Sequence, residues 1–130
     1  MIEVELSRII IDEQKKEQVI VLKEKKGDRL LPIVIGVNEA VAIKMELGGF
    51  NPPRPLTHDL ILSIMDNLKV ILEKVVINDL VDGTFYAKLY LKDHNKELKV
   101  VDARPSDSIA LAMRSKSPIF IEEQVLEKTH

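Results

Sequence analysis

Residues 70–93 read VILEKVVINDLVDGTFYAKLYLKD. Residues 70–80 and 84–93 are β-branched or alternate apolar with polar side chains, the period-two pattern of strands. Asp82-Gly83 stands between them, a pair that accepts positive φ at both central positions of a tight turn, so the stretch is expected to be a β-hairpin. Working outward, His94-Asn95 turns the chain into a third strand at 98–103. Pro105 and Ser106 open a helix over about 106–115, with Ile109, Ala110 and Met113 as its core stripe and Asp107 suited to the dipole of its first turn. Pro118 ends that helix before a short strand at 119–121. On the other side, Thr57 is a suitable N-cap for a helix over 58–69 that carries Leu60, Ile61, Ile64, Met65 and Leu68 on one face.

The N-terminal third repeats the hairpin logic. Residues 2–11 and 17–25 are rich in Ile and Val, and the polar stretch 12–16 connects them. Gly27-Asp28 leads into 30–35, where Pro32 lacks a ladder donor and marks an edge or a strand end. Gly36 stops that strand, and residues 37–47 have helical composition up to Gly48-Gly49. Placed at 100° per residue, the apolar side chains of this helix cover most of its surface and leave only Glu39, Ala42, Glu46 and an isolated Lys44. Such a helix is either enclosed on several sides or an interface. The expectation here is a homo-oligomer, a dimer first, through Val37, Val41 or Met45, burying at least about 1,000 Å² in total. Residues 50–56 hold three prolines and are irregular. The order of elements predicts an α+β fold: one compact domain over 1–130 with a mixed, largely antiparallel sheet and about three helices.

Composition narrows the function. The 130 residues carry 19 basic and 21 acidic side chains, net −2, so no overall field holds a polyanion and a histone-like binder is excluded. Five aromatics without Trp form a poor stacking platform for single strands. Cysteine is absent, which removes disulfides, thiolate metal sites and thiol nucleophiles. No apolar run approaches the roughly 18 residues of a membrane span, and the acidic, alternating start differs from a signal peptide. The expected setting is cytoplasmic, without a membrane partner.

Two predicted helix openings share one construction: Arg54-Pro55-Leu56-Thr57-His58-Asp59 and Arg104-Pro105-Ser106-Asp107. Free backbone N–H groups, a positive dipole end and a guanidinium make an anion site, best suited to phosphate. The ordinary alternative is that the hydroxyl caps the helix, the Asp satisfies the dipole and the Arg pairs with a carboxylate. His58 stands beside a carboxylate, and histidine is the natural proton carrier near neutrality, so it is the first candidate for general base or acid; a solvated first-turn histidine is the bland reading. His94 and His130 are expected to be exposed and inert. Glu39, Asp59, Asp102 and Asp107 flank strand ends or helix starts and are hard oxygen donors that would suit Mg²⁺ or Mn²⁺. No His-Glu-x-x-His, P-loop, Gly-x-Gly-x-x-Gly or Gly-x-Ser-x-Gly motif occurs. Tyr86 and Tyr90 share a strand face with Lys88 and read as sheet packing.

The ordered set Leu31-Pro32-Ile33-Val34-Ile35-Gly36 with Glu39-Ala40, then Arg54-Pro55-Leu56-Thr57-His58-Asp59-Leu60, Phe85-Tyr86-Ala87, and Asp102-Ala103-Arg104-Pro105-Ser106-Asp107-Ser108-Ile109-Ala110-Leu111-Ala112 resembles the bifunctional nuclease family over nearly the whole chain. The resemblance implies a small α+β domain that hydrolyses RNA and DNA with little base preference. On these motif positions the candidate catalytic residues are Glu39, His58, Asp59 and Asp107. The candidate phosphate ligands are Arg54, Thr57, Arg104 and Ser106. In this reading the two arginines hold the phosphate, His58 or a carboxylate activates the nucleophile, and Mg²⁺ assists. A competing reading is a non-catalytic oligomeric module that binds a nucleotide or another phosphorylated ligand at the Arg-Pro openings. A third is a structural protein in which those openings only cap helices. Convergence of Glu39, His58, Asp59, Arg104 and Asp107 on one pocket separates them.

Overall fold

In the computed structural model, which describes residues 1–12 and 14–129, the chain forms β1 (Ile2–Asp12), β2 (Glu17–Glu24), β3 (Leu30–Ile35), α1 (Val37–Leu47), α2 (Thr57–Asn67), β4 (Ile71–Val81), β5 (Thr84–Lys92), β6 (Leu98–Ala103), α3 (Pro105–Ser115), β7 (Ile119–Ile121) and α4 (Glu123–Lys128). Part of the 12–16 connection and His130 lie outside the described residues. The sheet has seven strands in the order β3-β2-β1-β7-β4-β5-β6. Two antiparallel meanders, β1-β2-β3 and β4-β5-β6, are joined by β7, which pairs antiparallel with β1 and parallel with β4. The fold is α+β with a mixed sheet. Each meander delivers its last strand directly into a helix, β3 into α1 and β6 into α3, and this brings two helix starts to one end of the sheet.

Local chemistry explains most boundaries. Asp82 and Gly83 both take positive φ, 51° and 79°, as the β4–β5 turn requires. Pro32 sits on β3, an outermost strand, where its missing N–H costs no ladder bond. At the end of α1 the N–H groups of Gly49 and Phe50 return to the carbonyls of Glu46 and Met45, which closes the last turn. Two helix details differ from expectation. A fourth helix, α4, follows β7; its six residues bury only Val125 and Leu126, too short a stretch to show a period in the sequence. Thr57 is the first helical residue of α2, not its cap; Leu56 precedes the helix, and its backbone N–H is bonded by Asp59 Oδ2 at 3.0 Å.

Ile20 and Leu22 of β2, Leu31, Ile33 and Ile35 of β3, Val75 and Ile77 of β4, and Ala87 and Leu89 of β5 share a core with Ile43 of α1 and Ile109–Ala112 of α3. Each fully buried aliphatic side chain contributes about 1.5–3 kcal/mol of transfer free energy. On α1, Ala40, Ala42 and Ile43 are enclosed and Met45 is half-buried, whereas Val37, Val41 and Leu47 are exposed. Glu39 and Ala42, expected on the stripe outside the apolar surface, are thus buried, while the Val37 and Val41 side stays exposed. Among the described residues no helix is long and apolar enough to cross a membrane.

Candidate active site at the facing helix starts

Gly36 precedes α1 and Arg104 precedes α3, and neither helix start has a side-chain cap. Their first-turn N–H groups thus stay available, apart from Pro105, which has none. Each helix carries an acid three residues past the cap position, Glu39 on α1 and Asp107 on α3. Arg104 joins these two carboxylates. Its Nε and Nη2 each lie 2.9 Å from Asp107 Oδ2, and Nη2 lies 3.3 Å from Glu39 Oε1. Asp107 Oδ1 is 3.0 Å from His58 Nε2, which ties the start of α2 into the same chain of contacts.

Burial divides the roles. Glu39 is 5% exposed and His58 4%, while the side chain of Arg104 is 69% exposed. Glu39 Oε1 is buried and has no hydrogen-bond partner, because the nearby guanidinium is not aligned to donate to it. A buried carboxylate oxygen left this way costs free energy unless it serves another purpose. Gly36 makes room for it: a Cβ at position 36 would stand 3.0 Å from Glu39 Oε1. Glu39 lines a groove of about 560 Å³ whose walls include Val34, Gly36, Thr84, Phe85, Arg104 and Ser106. Edge strand β3 forms one side, the tip of the β4–β5 hairpin another, and the two helix starts close the end. Ser106 is 7% exposed and its hydroxyl has no partner among the described residues.

The remaining sequence candidates are placed differently. Asp59 is turned to the far end of α3, where Arg114 Nη2 and Nε approach its Oδ1 at 2.6 and 2.8 Å. With Oδ2 bonded to Leu56 N–H, both its oxygens are committed to holding α2. Thr57 and His58 line a separate, smaller cleft of about 120 Å³ with Asn38, Val41 and Leu56. Arg54 is exposed, lies in neither cavity and has no ion pair among the described residues. Asp102 pairs with Lys88 across β5 and β6. Tyr86 is 41% exposed, and Lys74 stands over the Tyr90 ring at 4.8 Å. The two Arg-Pro helix starts do meet, through His58 and Asp107, but of the two arginines only Arg104 enters the groove. Sequence reasoning missed Arg114, whose only signal was a basic residue in the last turn of α3.

A divalent cation does not fit this arrangement. Mg²⁺ takes near-octahedral oxygen coordination. Here both oxygens of Asp107 are engaged by His58 and Arg104, and the Arg104 guanidinium also pairs with Glu39 Oε1. Among the described residues no three carboxylate or imidazole groups gather as metal ligands.

Residues 20–130 match the family model described as the bifunctional nuclease domain. The chain belongs to the bifunctional nuclease domain family. An uncharacterized protein of Mycobacterium tuberculosis is 48% identical over 124 residues, which is 95% of this chain and 73% of that protein. Bifunctional nuclease 1 of Oryza sativa subsp. indica is 29% identical over 109 residues, 82% of this chain and 33% of the rice protein. Bifunctional nuclease 2 of Oryza sativa subsp. japonica is 28% identical over 119 residues, 88% and 36% of the respective chains.

Electrostatics hold the bifunctional nuclease domain's Asp107 in its ionised form. Partial burial raises its pKa, but hydrogen bonds from His58 and Arg104, with their charges, outweigh this and keep the carboxyl below the usual value. A lowered folded-state pKa stabilises the fold at pH above the unfolded value, and this contribution is lost as pH falls through the folded value. Wild-type protein should therefore lose stability relative to Asp107→Asn below about pH 4, the ordinary aspartate range. Urea midpoints at pH 6, 5, 4 and 3 test this, and parallel curves for the two proteins would contradict it.

Proposed function

We propose that the protein is a phosphodiesterase that cleaves RNA and DNA, with the backbone phosphate seated between the starts of α1 and α3. The observation that carries this reading is the orphaned Glu39 Oε1, buried in the groove beside Arg104. A carboxylate oxygen without a partner can accept a proton from water, and a guanidinium beside it can neutralise charge developing on the phosphorus oxygens. Arg104 Nη1 and the first-turn N–H groups of both helices supply donors to the phosphate, and Ser106 adds a hydroxyl. Family membership supports the reaction class, as do the names of the rice relatives, Bifunctional nuclease 1 and 2. Self-association, a dimer first, belongs to the same proposal.

In this scheme Glu39 is the general base and Arg104 the phosphate clamp. Ionised Asp107 accepts a hydrogen bond from His58 Nε2 and fixes the guanidinium, so His58 acts on the groove through Asp107 as a positioning residue. Asp59 and Arg114 hold α2 in place. Highly purified protein should cleave single-stranded RNA and DNA, because trace host nuclease mimics weak activity. Arg104→Ala should raise KM and lower kcat, with Arg104→Lys recovering only part, since a lysine cannot grip two partners in the guanidinium's plane. His58→Ala should lower kcat more than it raises KM. If His58→Ala and wild type degrade RNA equally, the imidazole only fills space. If wild type binds oligonucleotide without cleaving it, the phosphate-binding module is the correct reading.

A further inference from the structure

One wall of the groove at the helix starts is made of backbone. Pro32, Ile33, Val34, Ile35 and Gly36 line it in unbroken succession. Side chains of a strand alternate between two faces, so a groove lying on either face meets every second residue. A groove that meets them all runs along the strand's edge. β3 is an outermost strand, and its ladder runs to β2 on the opposite side. The groove therefore lies against an open row of peptide groups.

Pro32 decides which peptide groups these are. In an antiparallel pair the N–H and C=O of one residue point to the same side, and that side alternates along the strand. Pro32 stands opposite Val21 but has no N–H to give to the ladder, which puts the β2-facing groups on Leu31, Ile33 and Ile35 and the open ones on Pro32 and Val34. Between Pro32 and Val34 the open edge thus offers two carbonyl acceptors and a single donor, Val34 N–H. A peptide strand added here would find no donor at Pro32, the device by which proline protects sheet edges. The matching occupant is smaller than a strand and needs one donor beside one acceptor.

We propose that this edge is a nucleobase subsite: the base of the nucleotide whose phosphate sits at Arg104 and the helix starts bonds the N–H and C=O of Val34. Each of the four bases carries a donor next to an acceptor on its pairing edge, and turning the base over reverses their order. One residue's pair of backbone groups therefore serves all four, provided that the base is unpaired. The groove volume of about 560 Å³ is that of a pocket for one small ligand. Thr84 and Phe85 at the hairpin tip form the facing wall, and Phe85 gives the base an aromatic surface. The charged end and the backbone edge hold the two halves of one nucleotide. This inference rests on the phosphate seat in the proposed function and adds what receives the base.

Calorimetry on the full chain tests it, with adenosine monophosphate, cytidine monophosphate and ribose phosphate as probes. The two nucleotides should bind within about threefold of each other and about tenfold tighter than the sugar phosphate, the effect of two net hydrogen bonds. Val34→Pro deletes the donor on the open side and spares the ladder, as Pro32 does, so it should erase that gap, whereas Val34→Ala keeps the N–H and should keep the gap. Amide resonances of the wild type give a reading that does not depend on how a variant folds: the Val34 N–H should shift with either nucleotide and stay in place with ribose phosphate. Nucleotides no tighter than the sugar phosphate, or a Val34 resonance indifferent to the base, would overturn the subsite. If nucleotides bind through Val34 but the protein cleaves no RNA, the nuclease reading falls and the subsite stands. If RNA is cleaved while the base-dependent gap is absent, the subsite falls and the nuclease reading stands.

Discussion

Glu39→Gln should reduce cleavage of single-stranded RNA by about 10²–10⁴-fold, the range lost when a general base is removed. The substitution keeps the shape that fits over Gly36 and removes only the ability to take a proton. Folding should survive it. Glu39 Oε1 has no hydrogen bond to lose, and its ion pair runs to a guanidinium that is 69% exposed and screened by water. The thermal midpoint should stay level or rise, because a neutral amide is cheaper to bury than a carboxylate. Loss of activity with stability retained is the pattern of a residue kept for chemistry at some cost to the fold. Equal rates for the variant and wild type in single-turnover assays would remove Glu39 from the reaction and leave it as a helix-start acid complementing the dipole of α1.

Arg114→Ala should have a large effect on stability, about 3 kcal/mol, because removing one partner of a buried ion pair strands the other. The side chains of Arg114 and Asp59 are 9% and 19% exposed, and the guanidinium makes two short contacts to one carboxylate oxygen. Arg114 Nη1 also reaches the carbonyl of Ala42 at 3.4 Å, so this one side chain bridges α1, α2 and α3. For a domain of this size the loss corresponds to a thermal midpoint lower by roughly 10 °C. Asp59→Ala should cost at least as much, since it also frees the Leu56 N–H, and the double variant should cost less than the sum of the two. A single-variant loss under about 1 kcal/mol, the surface-pair range, would show that water replaces the contact.

Much of the architecture was legible along the chain. The Asp82-Gly83 turn, Pro32 on an edge strand, the Gly48-Gly49 helix end and the bounds of β3, α1, β6 and β7 all follow from chemistry within a few residues of each position. Backbone preferences and the period of apolar side chains are local properties, and local properties survive in a string of letters. The short α4 and the true start of α2 escaped because a six-residue helix has no period and because Asp59, three residues on, bonds the backbone at Leu56 in place of the Thr57 hydroxyl.

Sequence alone also determined which residue types gather near helix starts, and so named Glu39, His58, Arg104, Ser106 and Asp107 as candidates together with Asp59, Arg54 and Thr57. It put His58 first for proton transfer but could not choose between the two Arg-Pro openings, which look equivalent until the chain is folded. The tertiary structure decided between them. Parallel pairing of β7 with β4 joins the two meanders and sets the start of α3 opposite that of α1, so Arg104 meets Glu39 across 65 positions of sequence while Arg54 is left in the open. The same packing turns Asp59 to Arg114 and leaves Glu39 Oε1 buried without a hydrogen bond. Pairing and burial of a charge depend on what long-range topology brings beside it, and no local pattern encodes that neighbour.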